Sequence, residues 1–290
     1  MKLGNMPKKL EKKIEEHLGE IEMEQEKLDL LKTFQGYEGP DELITSEEAL
    51  KNLKEKGAEK TPTFWTKLPT LDTWLTGLKE GDVVVVSGPP KSGKTTLCQT
   101  FTINFAEQEI PVLWFSYELT QREFLQRFPQ PIPYFILPKK LIGNTAEWFE
   151  KKIVEGIAKY GTKIVMIDHL HFILDMSILG MRGNVSLIIG AVMRELKTIA
   201  IKWNVIIFLV AHTTKIAFEG QPGLSDIRDS SFCSQESDHV LMIWRTKNKE
   251  TKQFENEGKL ALLANRRTGK VGIIKLFLQN GQFYEQADSE

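Results

Sequence analysis

The apolar positions divide the chain into an amino-terminal region and a larger region with a different periodicity. Residues 8 to 35 are dense in Lys and Glu, and apolar residues recur there every three, four or seven positions, at Leu10, Ile14, Leu18, Ile21, Leu28 and Leu31. This spacing puts them on one face of a helix, opposite interleaved charges. We predict a charged helical arm over residues 1–35. The sequence leaves open whether the arm rests on its own domain or pairs with another helix.

Glycine and proline separate this arm from the rest of the chain. The stretch "FQGYEGPDE" interrupts the helical pattern. Thr45, with Glu48 three residues later, has the capping-box spacing and predicts a short helix from about residue 46 to 56. A second break at "GAEKTPTF" follows. We therefore expect a linker with a short helix over residues 36–60 and a large domain over residues 61–290.

The large domain alternates apolar runs with helix-like stretches. The runs predict strands at residues 82–87, 112–117, 163–168, 205–211, 239–244, 260–265 and 272–278, and helices are expected at about 94–107, 119–128, 145–160 and 185–203. Asn144 and Glu147 are predicted to cap the third helix and Gly161 to end it. The early strands are apolar throughout, as in parallel sheets covered on both faces, whereas the last strands follow one another without helices. The pattern predicts an α/β fold with a mostly parallel sheet flanked by helices and antiparallel strands at one edge.

Composition excludes several classes of protein. With 290 residues, 41% of them hydrophobic, the chain can bury a sizeable core, and a formal net charge of -1 provides no global attraction to nucleic acid. The apolar runs are too short to span a membrane, and the charged amino terminus lacks the apolar core of a signal peptide. Cys98 and Cys233 do not make a disulfide framework. We expect no membrane contact and a cytoplasmic location, or the nucleoid or host cytoplasm if the chain is viral.

The loop after the first valine-rich strand carries the clearest chemical signal. Residues 88–95 fit the pattern G-x-x-x-x-G-K-[ST] between a strand and a helix. Gly93 lets backbone amides approach phosphate groups at a helix amino terminus, which attracts negative charge. Lys94 is predicted to reach the outer phosphates and Thr95 to hold Mg²⁺. The predicted nucleotide-binding residues are Gly88, Pro89, Pro90, Lys91, Ser92, Gly93, Lys94, Thr95 and Thr96.

Polar residues at three further strand ends extend this site. Asp168 ends "KIVMID", the Walker B pattern, in which the carboxylate orients Mg²⁺ through water. Glu118 follows "VLWFSY" and can polarise an attacking water, or it can sit in the first turn of the next helix. His212 follows "IIFLVA" and can contact the γ-phosphate or make a structural hydrogen bond. We do not predict a zinc site at His169 and His171, because no further Cys or His lies near them in the sequence.

Six segments together resemble a known family. "LPTLDTWLTGLKEGDVVVVSGPPKSGKTTL", "VLWFSYEL", "IVMIDHLHF", "MRELKTIAIKWNVIIFLVAH", "LSDIRDSSFCSQESDHVLMIWR" and "ANRRTGKVGIIKL" follow in the order and spacing of the motor domain of DnaB-type replicative helicases. The resemblance spans about residues 62–279. His212 and "DHLHF" are most similar to the phage helicase-primase and mitochondrial Twinkle branch. The resemblance implies a RecA-like fold, a ring of six subunits, and 5′ to 3′ travel on single-stranded DNA during DNA replication, driven by ATP with Mg²⁺. Primase, polymerase or loader proteins are the partners it suggests.

The resemblance also implies residue roles. Lys94 and Thr95 match the phosphate and Mg²⁺ contacts, and the other matches are Glu118 (catalytic base), Asp168 (Mg²⁺ carboxylate) and His212 (γ-phosphate sensor). Either Arg266 or Arg267 matches the arginine finger that enters a neighbouring subunit's site. The family usually has Lys two residues before that Arg, where this chain has Ala264 or Asn265.

The pore loops and the amino-terminal region match the family less closely. DNA contacts in this family come from loops that match residues 176–186 and 212–226, where Arg182 and Lys215 are the available cations. Contact through backbone amides, or a role as plain surface loops, stays open. The short helix near residues 46–56 resembles the family's linker helix, which docks on the adjacent subunit.

Two other functions share the core residues. A RecA/RadA-like recombinase or KaiC-like ATPase has equivalents of Lys94, Glu118 and Asp168, although "LSDIRDS" and the arginine pair favour the helicase. A non-motor assembly or loading factor that uses ATP as a switch is the alternative from a different class. Unwinding of a forked DNA substrate separates a motor from a switch.

Overall fold

The chain divides into two compact units, residues 1–60 and 61–290. The computed structural model describes residues 8–39, 42–55, 62–170, 185–213, 223–224, 235–248, 251 and 253–286. No helix among these residues has the length and apolar character needed to cross a membrane.

The described part of the first unit contains two helices, α1 (Lys8–Gln35) and α2 (Ser46–Glu55). The predicted capping box at α2 is confirmed, because the Thr45 N–H donates to Glu48 Oε2 at 2.8 Å and the Glu48 N–H donates to Thr45 Oγ1 at 3.2 Å. Two of the amides that the start of a helix leaves without a helical partner are thereby satisfied.

The second unit is a layered α/β domain. Its described helices are α3 (Pro69–Leu75), α4 (Lys94–Ala106), α5 (Gln121–Gln126), α6 (Ala146–Tyr160) and α7 (Val185–Trp203). Its strands are β1 (Thr63–Phe64), β2 (Leu78–Lys79), β3 (Val83–Gly88), β4 (Val112–Ser116), β5 (Ile164–Asp168), β6 (Ile206–His212), β7 (His239–Lys247), β8 (Phe254–Asn265), β9 (Gly272–Gln279) and β10 (Gln282–Glu285). Among the described residues, eight strands form one sheet in the order β10-β9-β8-β7-β3-β6-β5-β4.

The direction of the strands confirms the predicted fold class. Strands β4, β5, β6, β3 and β7 pair in parallel, and β8, β9 and β10 add an antiparallel edge. Neighbouring residues of a strand point to opposite faces of the sheet, and both faces of this sheet are covered. Consecutive residues of the parallel strands are therefore apolar. Val84 and Val86 pack into one core with α3, α4 and β10, whereas Val83 and Val85 pack into a second core with α6 and α7.

One predicted helix cap is wrong. Thr145, not Asn144, is the N-cap of α6, and its side chain accepts a hydrogen bond from the Trp148 N–H at 3.2 Å. Both residues are good caps by type, and the residue whose backbone is extended immediately before the first helical turn takes the role. The predicted end of this helix is confirmed, since Gly161 adopts a left-handed conformation with φ 68°.

The hairpin between β9 and β10 was missed, together with α3, β1 and β2. Asn280 and Gly281 have positive φ angles of 51° and 78°, and Gln279 pairs with Gln282 across them. Asn-Gly between two strands is a strong short-range hairpin signal. The sequence therefore contained the information for this turn.

Candidate functional site

The loop between β3 and α4 has the backbone of a phosphate-binding loop. Gly88 has φ 154°, and a Cβ atom there would lie 2.1 Å from the Ile243 carbonyl oxygen in β7. Gly93, the N-cap of α4, has φ 105° and no side-chain cap. Both positions therefore require glycine. The first backbone amides of α4 therefore receive no hydrogen bond from a side chain at position 93. A helix start with such free amides favours a bound anion.

Lys94 extends back over this loop. It is 7% exposed, and its Nζ donates to the carbonyl oxygens of Gly88 at 2.9 Å and Pro89 at 3.0 Å. Burial lowers the pKa of Lys94, and the nearby carboxylates of Asp168 and Glu118 oppose that effect. The ammonium group is therefore held at the loop where outer phosphates would bind.

Thr95 and Asp168 meet beside this loop. Thr95 Oγ1 donates to Asp168 Oδ2 at 2.7 Å, which joins the first turn of α4 to the end of β5. Asp168 is 1% exposed, and burial raises the pKa of its carboxyl to about 6. Its Oδ1 atom has no hydrogen-bond partner among the described residues. Because Mg²⁺ binds hard oxygen donors, a buried carboxylate oxygen next to a hydroxyl fits this ion.

Glu118, His169 and His212 converge because they lie at or just after the carboxyl ends of three adjacent parallel strands, β4, β5 and β6. Glu118 Oε1 lies 3.7 Å from His169 Nε2 and 3.5 Å from His212 Nε2, and the centres of the two imidazole rings are 4.3 Å apart. No further Cys or His lies near His169 and His171 along the sequence, but the fold places His212 beside His169. Its partners lie in other strands, and only the register of the sheet brings them together.

Glu118 does not belong to the helix that follows it. Thr120 is the N-cap of α5, and Glu123 completes the capping box with it. Glu118 therefore lies outside the first helical turn, so its position is not explained by the helix dipole. Its side chain is 41% exposed, which leaves it accessible to a water molecule.

Arg266 and Arg267 lie near the amino-terminal ends of the parallel strands, opposite the ends that carry the phosphate-binding loop. Asn265 at the end of β8 is level with His239, and His239 is level with Val84 near the start of β3. The phosphate-binding loop follows the other end of β3. The arginines are thus separated from their own loop by on the order of 15 Å of strand, which exceeds the reach of their side chains.

The structure also distinguishes the two arginines, which the sequence had left equally placed. The Arg267 guanidinium contacts both oxygens of Asp82, at 2.7 and 2.8 Å, and donates to the Gly77 carbonyl oxygen at 2.9 Å. The side chain of Arg266 is exposed and has no hydrogen bond or ion pair with the described part of the chain. Only its backbone N–H is engaged, with the Asp238 carbonyl oxygen at 2.8 Å.

Several predicted features cannot be located. Arg182, Lys215, His171 and Cys233 lie outside the described residues, as do most of the loops at 176–186 and 212–226. Cys98, in α4, is a buried free thiol.

Most of the large domain matches one family of proteins. Residues 64–130 and 142–285 match the model described as "DnaB-like helicase C terminal domain". The chain belongs to this family. The resemblance seen in the sequence motifs is thereby confirmed, and it covers well over half of the chain.

Individual relatives agree with this membership. The replicative DNA helicase DnaB of Mycoplasma genitalium is 26% identical over 279 residues, which cover 81% of this chain and 58% of that protein. A probable replicative DNA helicase of Trieres chinensis is 24% identical over 245 residues, 71% of this chain and 53% of that protein. The chain thus spans about half to three-fifths of the length of these curated relatives.

Solved structures share the fold. The ATPase domain of G40P superposes with a TM-score of 0.69 at 18% identity, covering 84% of this chain and 99% of that one. A DnaB-like replicative helicase, whose structure was reported with its interactions with primase, gives a TM-score of 0.65 at 17% identity and covers 95% of this chain and 75% of that one.

Proposed function

We propose that this chain is the motor part of an ATP-dependent, hexameric DNA helicase of the DnaB type, which moves on single-stranded DNA during replication. The observation that carries the proposal is the meeting of Lys94, Thr95, Asp168 and Glu118 at one edge of the sheet, in a member of the DnaB-like helicase family. The reaction converts ATP and water to ADP and phosphate, with Mg²⁺ as the cofactor.

Each residue then has a chemical role. Lys94 exchanges its two loop carbonyls for phosphate oxygens, and Thr95 with Asp168 would hold Mg²⁺, which neutralises charge that develops on the phosphates. Glu118 orients the attacking water as a general base. His212, 3.5 Å from Glu118, contacts the γ-phosphate and reports its loss to the segment that follows β6.

A finger acting between subunits completes the site. The distance along β3 keeps both arginines away from their own loop, which supports a finger that acts on the loop of a neighbouring copy. Arg266 is our candidate, because its side chain is exposed and unpaired within the described residues. Arg267 positions the same turn through Asp82.

Mixed rings test this assignment. We expect Arg266→Ala and Lys94→Ala proteins to be nearly inactive alone, and a mixture to regain part of its DNA-stimulated hydrolysis, since an intact loop then faces an intact finger. The matched control mixes Arg266→Ala with the double variant Lys94→Ala/Arg266→Ala, which should restore nothing. No recovery in rings shown to be mixed would contradict a finger in trans.

Arg182 and Lys215 are proposed to contact DNA phosphates, and α2 is proposed to dock on the adjacent subunit and close the ring. Primase, polymerase or a loader are candidate partners. Changing both cations to Ala should weaken single-stranded DNA binding and lower its salt dependence, by roughly 0.7 in slope for each lost phosphate contact.

Unwinding of a forked DNA substrate tests the function as a whole. We expect strand separation that requires ATP and Mg²⁺ and is absent in Lys94→Ala. ATP hydrolysis without unwinding would favour the switch-type loading factor. Strand exchange without unwinding would favour a recombination role, for which there is a specific observation: the DNA repair protein RadA of Pseudomonas aeruginosa is 28% identical over 171 residues, 57% of this chain and 36% of that protein.

A further inference from the structure

Glu118, His169 and His212 bring three metal-binding atoms together beside the proposed Mg²⁺ residues. One ligand atom from each of the three residues lies within 4.8 Å of the other two. The distances from Glu118 Oε1 to the two Nε2 atoms are 3.7 and 3.5 Å. In a tetrahedral zinc site, with metal–ligand bonds of 2.0–2.2 Å, neighbouring ligand atoms lie about 3.4 Å apart. Two of the three separations are therefore close to those of a bound ion.

We propose that Glu118, His169 and His212 form a binding site for a transition-metal ion of the Zn²⁺ class. Two imidazoles and one carboxylate, with a fourth position left for water, are the donors of many catalytic zinc sites. Imidazole suits Zn²⁺ and its neighbours, whereas Mg²⁺ prefers oxygen donors. The site is thus chemically distinct from the oxygen pair of Thr95 and Asp168.

The backbone holds two of these ligands in place. Ser116 at the end of β4 is level with Asp168 at the end of β5, and the Tyr117 N–H donates to the Asp168 carbonyl oxygen at 2.8 Å. Glu118 and His169 follow directly after these paired positions. Their separation is therefore set by the sheet, so little ordering of the chain opposes metal binding.

The three side chains differ in exposure in a way that suits binding from solvent. The His169 side chain is 10% exposed and supplies a fixed donor, whereas those of Glu118 and His212 are 41% and 30% exposed. An ion can therefore reach the outer two ligands first and then the inner one. Small rotations of the Glu118 and His212 side chains would bring the ligand atoms to the separations of a tetrahedral site.

Occupancy of this site would inhibit the proposed reaction, and this consequence rests on the proposed function. A metal ion on Glu118 takes the carboxylate oxygen that would activate water, and an ion on His212 removes the γ-phosphate contact. Zn²⁺ should therefore slow hydrolysis in the presence of excess Mg²⁺, and a zinc chelator should restore it. Metal binding itself requires no hydrolysis, so it can be measured separately.

The experiment uses Co²⁺ as a coloured probe of the full chain without nucleotide. We expect one Co²⁺ per chain, with the intense visible absorption of tetrahedral coordination, and displacement by one equivalent of Zn²⁺. His169→Ala and His212→Ala should each weaken binding at least about tenfold, since each removes one of three ligands. Thermal unfolding of the two variants checks that they fold; if His169→Ala does not, His212→Ala decides.

Matched controls separate this site from adventitious binding and from failure of the proposed function. His17→Ala removes an exposed imidazole on α1 and should leave the absorption unchanged. Lys94→Ala should abolish hydrolysis but bind Co²⁺ normally. A signal that is lost in His171→Ala but kept in His169→Ala would overturn the ligand set. Absence of tetrahedral absorption in the wild-type chain would overturn the site, whether or not that chain hydrolyses ATP.

Discussion

The amino-terminal ends and the carboxyl-terminal ends of the parallel strands, called here the amino edge and the carboxyl edge of the sheet, carry buried charges that differ in their partners. At the amino edge, Arg267 contacts both oxygens of Asp82, and Lys197 Nζ lies 2.6 Å from Asp238 Oδ2, which also accepts the Val83 N–H at 2.8 Å. At the carboxyl edge, the buried carboxylate of Asp168 keeps one oxygen without a partner among the described residues. The buried carboxylates of Asp82 and Asp238 thus have cationic partners within the domain, whereas Asp168 retains an oxygen that is available to a ligand.

The pKa values of two buried carboxyl groups, Asp82 and Asp168, show this difference between the edges. Burial raises the pKa of Asp82, but contacts with His239 and Arg267 outweigh it and leave the pKa below its ordinary value. Burial raises the pKa of Asp168 to about 6, because the hydrogen bond from Thr95 compensates only in part. A buried carboxylate without sufficient partners is stabilised by a cation. This difference supports a structural role for Asp82 and the proposed ligand-binding role for Asp168.

Variants of the two arginines at the amino edge test this difference between the edges with the largest expected effect. Arg266→Ala should lower DNA-stimulated ATP hydrolysis by about 10³-fold, the lower range for loss of an arginine finger, with unchanged stability. Arg267→Ala should instead lower stability, because it leaves Asp82 without its main partner. Phosphate release and urea unfolding of both variants make the measurement. Full activity in Arg266→Ala would remove its proposed role.

Glu118 is the corresponding test at the carboxyl edge. Glu118→Gln should slow hydrolysis by about 10²-fold or more, the range for a general base, while ATP still binds and urea unfolding is unchanged. Glu123→Gln is a matched control five residues away, since that exposed side chain caps α5 and should not affect turnover. Wild-type turnover in Glu118→Gln would show that another group activates the water.

Asp82→Asn should act on stability alone. It weakens the contacts to Arg267 and His239, and we expect the free energy of unfolding to fall by about 2 kcal/mol, less than for a fully buried pair because Arg267 is partly exposed. ATP affinity should stay unchanged, since the phosphate-binding loop lies at the other edge. Chemical denaturation and nucleotide titration measure the two quantities. A weakened ATP affinity with normal stability would reverse the expected roles of the edges.

The smallest effect is expected from the titration of Asp168. Its pKa in the folded chain, about 6, lies above the ordinary value of 3.8, so the folded state binds this proton more tightly than the unfolded state. The resulting stabilisation is present at low pH and is lost as the pH rises through 6. In metal-free buffer, going from pH 7.5 to 5 should stabilise the wild type relative to Asp168→Asn by about 1.4 kcal/mol. If the difference in the free energy of unfolding between the two proteins did not change with pH, other groups of the folded chain would already stabilise the Asp168 carboxylate.

Much of this molecule could be predicted from local patterns. The phosphate-binding loop, the apolar strands and the Thr45 capping box depend on residues only a few positions apart, and local geometry is enough to specify them. The motif order likewise indicated the family, which the family match confirms. The missed Asn280-Gly281 hairpin belongs to the same class, because its signal was present in two adjacent residues.

Other features were decided only by the tertiary structure. His169 meets Glu118 and His212 because three strands align in parallel, and the residues involved are more than 40 positions apart in the sequence. The proposal of Arg266 rather than Arg267 rests on the contact of Arg267 with Asp82, which immediately precedes another strand of the same sheet. Strand register and direction follow from packing of the whole domain, so the identity of adjacent residues determined the loop chemistry but not which distant side chains would share a site.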